Sequence, residues 1–447
     1  MSPHPPRRWR GFLEETRTSL WPLPVAALVL AVSLGVALPR LDAAMGGDLP
    51  ASVSATLFGG GAEAAQILLS AIATSLITVT SLTFSLTVVT LQLASSQYSP
   101  RLLRTFTRDR FVQRTLALFL GSFVYALTVL RTVRTPEGSG AGFVPQLSVT
   151  VAFAFTLASV LGLVLFLAHL AREIRVETVM RNVHKDADHC IERVLGERET
   201  SVALPQGPEG DAMRPLLAPS SGFVVAVRGE ALWEAARAVD AVVVVDRRVG
   251  DAVVAHTPVA RAWSVSGDVL SEEDVEGLQE RLGRAVEIGY ERTAQQDVAF
   301  GLRQLTDVAV KALSPGINDP TTAVHALNHS AALLCDLLRR DLGAATVRDD
   351  VGRVRVVLRQ WSFRELLDLA VTQPRIYGAD DPLVMAALLD LLEAVAWAGA
   401  GQGQQIGVEH QLNRSHQVIE QGDLDESHRE ELRRRATAVT EVLRGGS

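Results

Sequence analysis

The sequence predicts a membrane α-helical bundle of four transmembrane helices, followed by a cytoplasmic α+β domain that is mostly helical with a small β module. Three observations predict it. Four long uncharged apolar stretches all fall before residue 171. Charge divides at the same place: residues 1–176 carry 14 Arg, no Lys and 8 Asp+Glu, a net of +6, and the rest carries 29 Lys+Arg against 42 Asp+Glu, a net of −13. Beyond residue 213, short β-branched runs give way to helical periodicities.

Residues 1–19 form a basic N-terminus and residues 20–170 the membrane section. Its apolar stretches are Leu20–Pro39, Ala64–Leu93, Thr115–Leu130 and Val144–Leu170. A helix rises ~1.5 Å per residue, so about 20 residues cross a ~30 Å hydrocarbon core. The third stretch is short, and Val112, Gln113 and the snorkelling Arg114 and Arg131 extend it. The first has the basic start of a signal peptide, but its apolar run exceeds a usual signal core, so it reads as a retained helix.

Arginine and lysine placement sets the orientation. Thirteen of these residues lie before span one, between spans two and three and just after span four, against Arg40, Arg131 and Arg134 on the other side. Both termini are therefore expected in the cytoplasm.

The second span is long and rich in hydroxyls. At ~100° per residue, Ser70, Thr74, Thr78, Ser81, Ser85 and Gln92 share one face, and Thr80, Thr83, Thr87 and Thr90 lie nearly opposite. A helix polar on two sides suits a bundle or homo-oligomer. One reading is packing, because small and hydroxyl residues let membrane helices approach closely. The other is a polar path, with Thr80, Thr83, Thr87 and Thr90 as the pore-lining candidates. Span four repeats small residues at Ala154, Ala158 and Gly162, which points to a packed bundle. The four apolar stretches hold no Asp, Glu, Lys or Arg, which argues against a proton-coupled carrier. Residues 97–114 read as a basic connector that anchors at the inner surface.

Residues 171–213 read as a juxtamembrane helix, Ala171–Leu195, and a linker with Pro205 and Pro208. Residues 214–265 form the β-rich module. It has strand-like runs at Phe223–Val227, Ala241–Val245, Ala252–Ala255 and Val259–Trp263, and a helix over Glu230–Val239. Its cadence is similar to a biotinyl or lipoyl sandwich, but the turns hold no lysine, so it reads as structural and no cofactor is expected. Residues 266–447 form the helical part, with helices expected near Glu272–Ile288, Ala294–Leu313, Pro320–Leu342, Phe363–Val371, Leu383–Ala398, Val408–Gln421 and Glu426–Arg444. Ser271 with Asp274 resembles a capping box.

The densest polar pattern is Arg292–Thr322. Asp297, Gln304 and Lys311 fall near one face, Arg303, Asp307 and Lys311 step by four, and Ser314, Asn318 and Asp319 occupy the turn before Pro320. These eight residues and Arg292 read either as an i,i+4 ladder plus a stiff turn or as a pocket for an anion or small ligand. His325 and His329 are spaced to share a metal, but no third ligand is near in sequence, so they read as ordinary helical histidines. Cys190 and Cys335 form no metal or redox pair. The acidic second half argues against nucleic acid. No phosphate loop, nucleophile elbow or metalloprotease signature is present, so no enzyme activity is expected.

The run Ser75–Arg104, with Thr83-Phe84-Ser85-Leu86 and Leu91-Gln92-Leu93-Ala94-Ser95-Ser96-Gln97-Tyr98-Ser99-Pro100-Arg101, resembles a bacterial family of predicted membrane proteins, domain of unknown function 2254. So do Glu291-Arg292-Thr293, Gln296-Asp297, Phe300-Gly301, Ala312 through Pro320, Ser221–Val224 and Gly250-Asp251. The resemblance implies an inner-membrane location and carries over neither an activity nor assigned catalytic residues. Two roles follow from the residues: an oligomeric channel or pore-like transporter gated by the cytoplasmic domain, or a non-conducting sensor or scaffold that recruits a cytoplasmic protein.

Overall fold

The computed structural model describes residues 21–45, 57–97, 109–135, 142–173, 175–197, 204–205, 207–208, 212–400 and 405–445. The basic N-terminus at 1–19 and most of the connector expected at 97–114 lie outside the described residues. The chain divides into two compact units, Met1–Arg175 and Val176–Ser447.

The first unit holds α1 (Pro22–Met45), α2 (Ala62–Gln97), α3 (Arg110–Leu130) and α4 (Gln146–Glu173). All four are long and apolar enough to cross a membrane. Each extends beyond its apolar stretch and takes charged residues into its end turns: Asp42 in α1, Glu63 in α2, Arg110 in α3 and Arg172 in α4. At 36 residues, α2 reaches ~54 Å, well past the hydrocarbon thickness.

The bundle is built on α3, which packs against the other three helices and is more than half buried. Small residues bring α1 onto it. A Cβ on Gly35 would lie 2.7 Å from Thr128 Cβ, and one on Gly121 3.7 Å from Ala27. On α4 the small-residue row expected at Ala154, Ala158 and Gly162 does not carry the contact: Ala154 and Ala158 are exposed. Gly162 does meet α3, 3.3 Å from Leu118 Cδ2. The buried row is Ser148, Ala152, Ser159 and Phe166. The reason is that α3 presents bulky Phe119 and Tyr125, both fully buried. Tyr125 meets the Phe155 ring edge-on at 5.3 Å, and a tight crossing of small residues has no room there.

One carboxylate fastens each end of this bundle. Asp42, in the last turns of α1, accepts the Leu147 and Ser148 N–H groups at 3.0 Å each and the Ser148 hydroxyl at 2.6 Å. It is an N-cap for α4 supplied by another helix, an anion on the positive end of the helix dipole. Asp109 caps α3 itself, taking the Phe111 N–H at 2.8 Å, and its second oxygen lies 2.5 Å from His169 Nε2 of α4.

The second unit opens with α5 (Val176–Val194), so the expected juxtamembrane helix starts afresh after Arg175. Then follow β1 (Arg214–Leu217), β2 (Gly222–Val227), α6 (Gly229–Ala238), β3 (Ala241–Val245), β4 (Ala252–Val253), β5 (Pro258–Ser264), α7 (Glu272–Ala285), β6 (Val286–Gly289), α8 (Phe300–Ala312), α9 (Pro320–Leu337), β7 (Ala345–Arg348), β8 (Val354–Leu358), α10 (Phe363–Tyr377), α11 (Pro382–Ala398), α12 (Gln405–Gln421) and α13 (Glu426–Gly445).

The β module is not closed within 214–265 and is no sandwich of hairpins. One sheet runs β1-β5-β3-β8-β7 with β3 and β8 parallel, and the other is the antiparallel trio β4-β2-β6. Three of the eight strands among the described residues thus come from the stretch read as mostly helical. The all-valine tail of β3, with Val243 and Val245 fully buried, needs a neighbour on each side, and Val356 of β8 supplies the second. Val286, read as the end of a helix, pairs with Val227 instead. Side-chain caps set the helix starts. Ser271 accepts the Asp274 N–H, Asp319 accepts the Thr322 N–H ahead of Pro320, and Ser362 and Glu365 form a full capping box.

The Asp42 cap yields a direct test of the first unit. Asp42→Ala removes three hydrogen bonds, two of them to otherwise unpaired N–H groups. It should cost about 2 kcal/mol, read as a lower melting temperature of the detergent-solubilised protein. Ser148→Ala, which removes one of the three, should cost less.

Candidate functional site

Two polar arrangements stand out, one in each unit. The first is α2. Thr83 is fully buried, Thr80 and Thr90 nearly so, and Thr87 half-buried, so the four pore-lining candidates face the interior of a single chain. Thr80, Thr87 and Thr90 donate to the carbonyls of Leu76, Thr83 and Leu86 at 2.7–2.8 Å, and Thr83 Oγ1 has no partner. The opposite stripe is the free one. Ser70, Thr74, Thr78, Ser81, Ser85 and Gln92 are all exposed, flanked by the exposed apolar Ile67, Ile77 and Phe84. Thr78 donates to Thr74 O at 2.9 Å. The helix thus presents hydroxyls on the side that its own bundle leaves uncovered.

The second arrangement is a knot of desolvated charge. Asp297 is buried, and both Nε and Nη2 of Arg292 lie 2.7 Å from its Oδ2. Its Oδ1 accepts the Ala299 N–H at 3.2 Å. Gly250 presses on this pair with left-handed backbone (φ +94°), and a Cβ there would overlap Asp297 Oδ2 and come within 2.8 Å of Arg292 Nη2. Burial pushes the Asp297 carboxyl up to about 6 against the opposing pull of Arg292, and the nearby Asp251 adds to the rise.

Arg248 ties this turn to α10. It bonds Asp251 through its own N–H at 3.0 Å and through Nη2 at 3.3 Å, places Nη1 2.7 Å from Glu365 Oε1, and lies 3.8 Å over the Trp361 ring. Trp361 Nε1 donates to Val249 O at 3.3 Å. Beside them is a cavity of about 80 Å³, with apolar walls from Leu195, Val245 and Leu358 and a rim of Arg247, Arg359 and Gln360.

The nine pocket candidates do not gather into one site. Arg292 and Asp297 belong to the knot, and the flanking Gln296 reaches the cavity and accepts the Val227 N–H at 2.9 Å. Gln304 is buried within α8, Arg303 and Asp307 are half-buried on it, and Lys311 is exposed at its far end. Ser314 donates to Lys311 O, Asn318 adopts φ +50°, and Asp319 is spent capping α9. The 13 residues of α8 separate that turn from the knot by ~20 Å, too far for a single ligand pocket. Sequence reasoning missed Arg248, Trp361 and Glu365. The one local signal was Gly250-Asp251, because the other partners lie over a hundred residues away. His184 of α5 does reach His329, ring centres 5.1 Å apart, yet no group of three metal ligands gathers among the described residues.

A family profile described as predicted membrane protein (DUF2254) matches residues 17–394. An uncharacterized protein of Mycobacterium bovis and one of Mycobacterium tuberculosis are each 34% identical to the chain over 442 residues, which is 98% of this chain and 83% of the relative. No solved structure matches it.

The raised Asp297 carboxyl gives a pH signature. Its folded value lies above that of the unfolded chain, near 4, so the native state holds the proton longer. The stability it contributes is complete below about pH 4, is lost as pH rises towards about 6, and stays flat above. Asp297→Asn cannot titrate. The stability of the wild type minus that of Asp297→Asn should therefore fall by about 2–3 kcal/mol across that window, measured by denaturant unfolding at successive pH values. A difference that rises with pH would contradict this assignment.

Proposed function

The chain belongs to the DUF2254 family of predicted membrane proteins, and from that premise we propose that it works as a non-enzymatic homo-oligomer of the bacterial inner membrane. In this reading the α2 helices of several copies gather their Ser70–Gln92 faces around an uncharged polar path, and the acidic unit after Arg175, on the cytoplasmic side with both termini, controls it. The observation that carries the reading is the exposed stripe of six polar side chains on a membrane span. Hydrocarbon offers such groups no hydrogen bond, so they need protein or water against them. The path is assigned to this stripe and not to Thr80, Thr83, Thr87 and Thr90, which α3 and α4 cover within one chain.

A second reading keeps the oligomer but closes the path, so that the hydroxyl faces pack directly and the protein anchors a cytoplasmic partner. The bond from Thr78 to Thr74 O favours it, since a hydroxyl that bonds its own helix sits in an interface at little cost. The two readings differ in the wetness of the face. In a background with Cys190 and Cys335 replaced, single cysteines at Thr74, Thr78, Ser81 and Ser85 should all react with a membrane-impermeant thiol reagent if the path is wet. Thr78→Leu should then reduce solute flux or current in proteoliposomes at least tenfold. Protection of all four cysteines together with zero flux in the wild type would leave the anchoring reading.

A further inference from the structure

Helices α10 and α12 lie side by side and run parallel. Gln411 Nε2 donates to Asp368 Oδ1 at 2.5 Å and the Asp423 N–H to Asp380 Oδ1 at 3.1 Å, both at a sequence offset of 43. Gly407 packs on Arg364 at the same offset. This seam buries polar side chains to an unusual degree: Ser415 is 0%, Gln411 1% and Arg375 6% exposed.

Three atoms there lack partners. Arg375 Nε, Gln411 Oε1 and Ser415 Oγ are buried and make no hydrogen bond. Arg375 is the telling one, since its guanidinium has neither a hydrogen bond nor an ion pair among the described residues. Asp368, the nearest acid along the seam, is engaged by Gln411 and lies seven residues earlier on α10, ~10 Å away along the axis. The like-charged Arg414 stands beside the seam, exposed and also without a partner among the described residues. Burial and that second cation both work against the charge on Arg375, and the attraction of Asp368 offsets them only in part.

An arginine does not shed its proton under these conditions, so it cannot escape by neutralising. Leaving it buried without a hydrogen-bonded partner is strongly destabilising. The negative end of the α10 dipole offsets a small part of that and satisfies none of the N–H donors. Two guanidinium groups and a serine hydroxyl are a donor set for a multiply charged oxyanion. A phosphate group carries about −1.5 to −2 at neutral pH and three acceptor oxygens, whereas a monocarboxylate would neutralise only one of the two cations.

We propose that the α10–α12 seam binds a phosphate group through Arg375 and Arg414, with Ser415 as a neutral donor. The phosphate is either free in solution, as inorganic phosphate or a phosphate ester, or the headgroup of an anionic phospholipid. The site lies within the second unit and is independent of whether the membrane unit conducts.

The test follows thermal unfolding of the full-length protein in phospholipid-free detergent against inorganic phosphate, with sodium chloride holding the ionic strength constant. A second arm compares nanodiscs of phosphatidic acid with nanodiscs of phosphatidylcholine. The wild type should gain melting temperature saturably with phosphate, or in phosphatidic acid only, which identifies the headgroup as the source. Arg375→Met should melt no lower than the wild type without phosphate, because it removes an uncompensated charge, and should respond in neither arm. Arg414→Gln, at an exposed position, should weaken the apparent affinity about tenfold, the loss of one charge-assisted hydrogen bond. An identical response in wild type and Arg375→Met, or no response in either arm, overturns the site. Should Arg375→Met not fold, an unchanged affinity in Arg414→Gln overturns it.

Discussion

Inside hydrocarbon a polar group has only protein to bond it, and the four-helix unit is organised around that constraint. Thr80, Thr87 and Thr90 turn their hydroxyls back on carbonyls of their own helix. The unpaired N–H groups that open α4 are taken by Asp42 of α1, and the start of α3 by Asp109, which also holds His169. Each of these carboxylates therefore satisfies a helix end and joins two helices at once. The pairing of ends explains how α1, with small residues along its contact and little interlocking bulk, stays fixed against α3 and α4.

The second unit deals with a different cost, that of charge removed from water. At the knot the cost is shared out: Asp297 has Arg292 and the Ala299 N–H, Arg248 has Asp251, Glu365 and the Trp361 ring. Desolvation still outweighs pairing at Asp297, so the knot is held together by geometry more than by charge. It welds the Gly250 turn, the loop before α8 and the start of α10, three segments distant in sequence. Gly250 is required there because the turn needs a left-handed φ and because the acid–base pair occupies the space of a side chain.

The membrane helices were legible because each carries its own signal: a run of apolar residues bounded by arginines needs no knowledge of what it packs on. The caps at Asp319 and Ser271 were legible for the same reason, being written within four residues. The strands β6, β7 and β8 were not. Val286–Gly289 and Val354–Leu358 are four- and five-residue runs whose strand state depends on finding β2 and β3 elsewhere in the chain. The knot shared this fate. Its local half, Arg292 and Asp297, stood out, and its other half, Arg248, Trp361 and Glu365, is joined only by the fold. On α2 both polar faces were visible in the sequence, but which one the bundle covers depends on where α3 packs, and periodicity does not contain that.

The position of α2 in its bundle bears on what the protein can be. It packs on α3 and α4, while α1 packs on α3 and α4 rather than on α2, so α2 stands at the edge with a hydroxyl face turned outward. A closed assembly can cover that face in two ways. A two-fold pair brings the stripe against itself, serine and threonine across from serine and threonine, and the contact closes with no lumen. A ring of three or more copies cannot place every stripe against another stripe. It turns them towards the axis, where water must satisfy the hydroxyls left over. In the proposed oligomer the same six side chains would make an anchor in a dimer and the wall of a path in a higher ring, and subunit number would separate the two roles before any solute is identified.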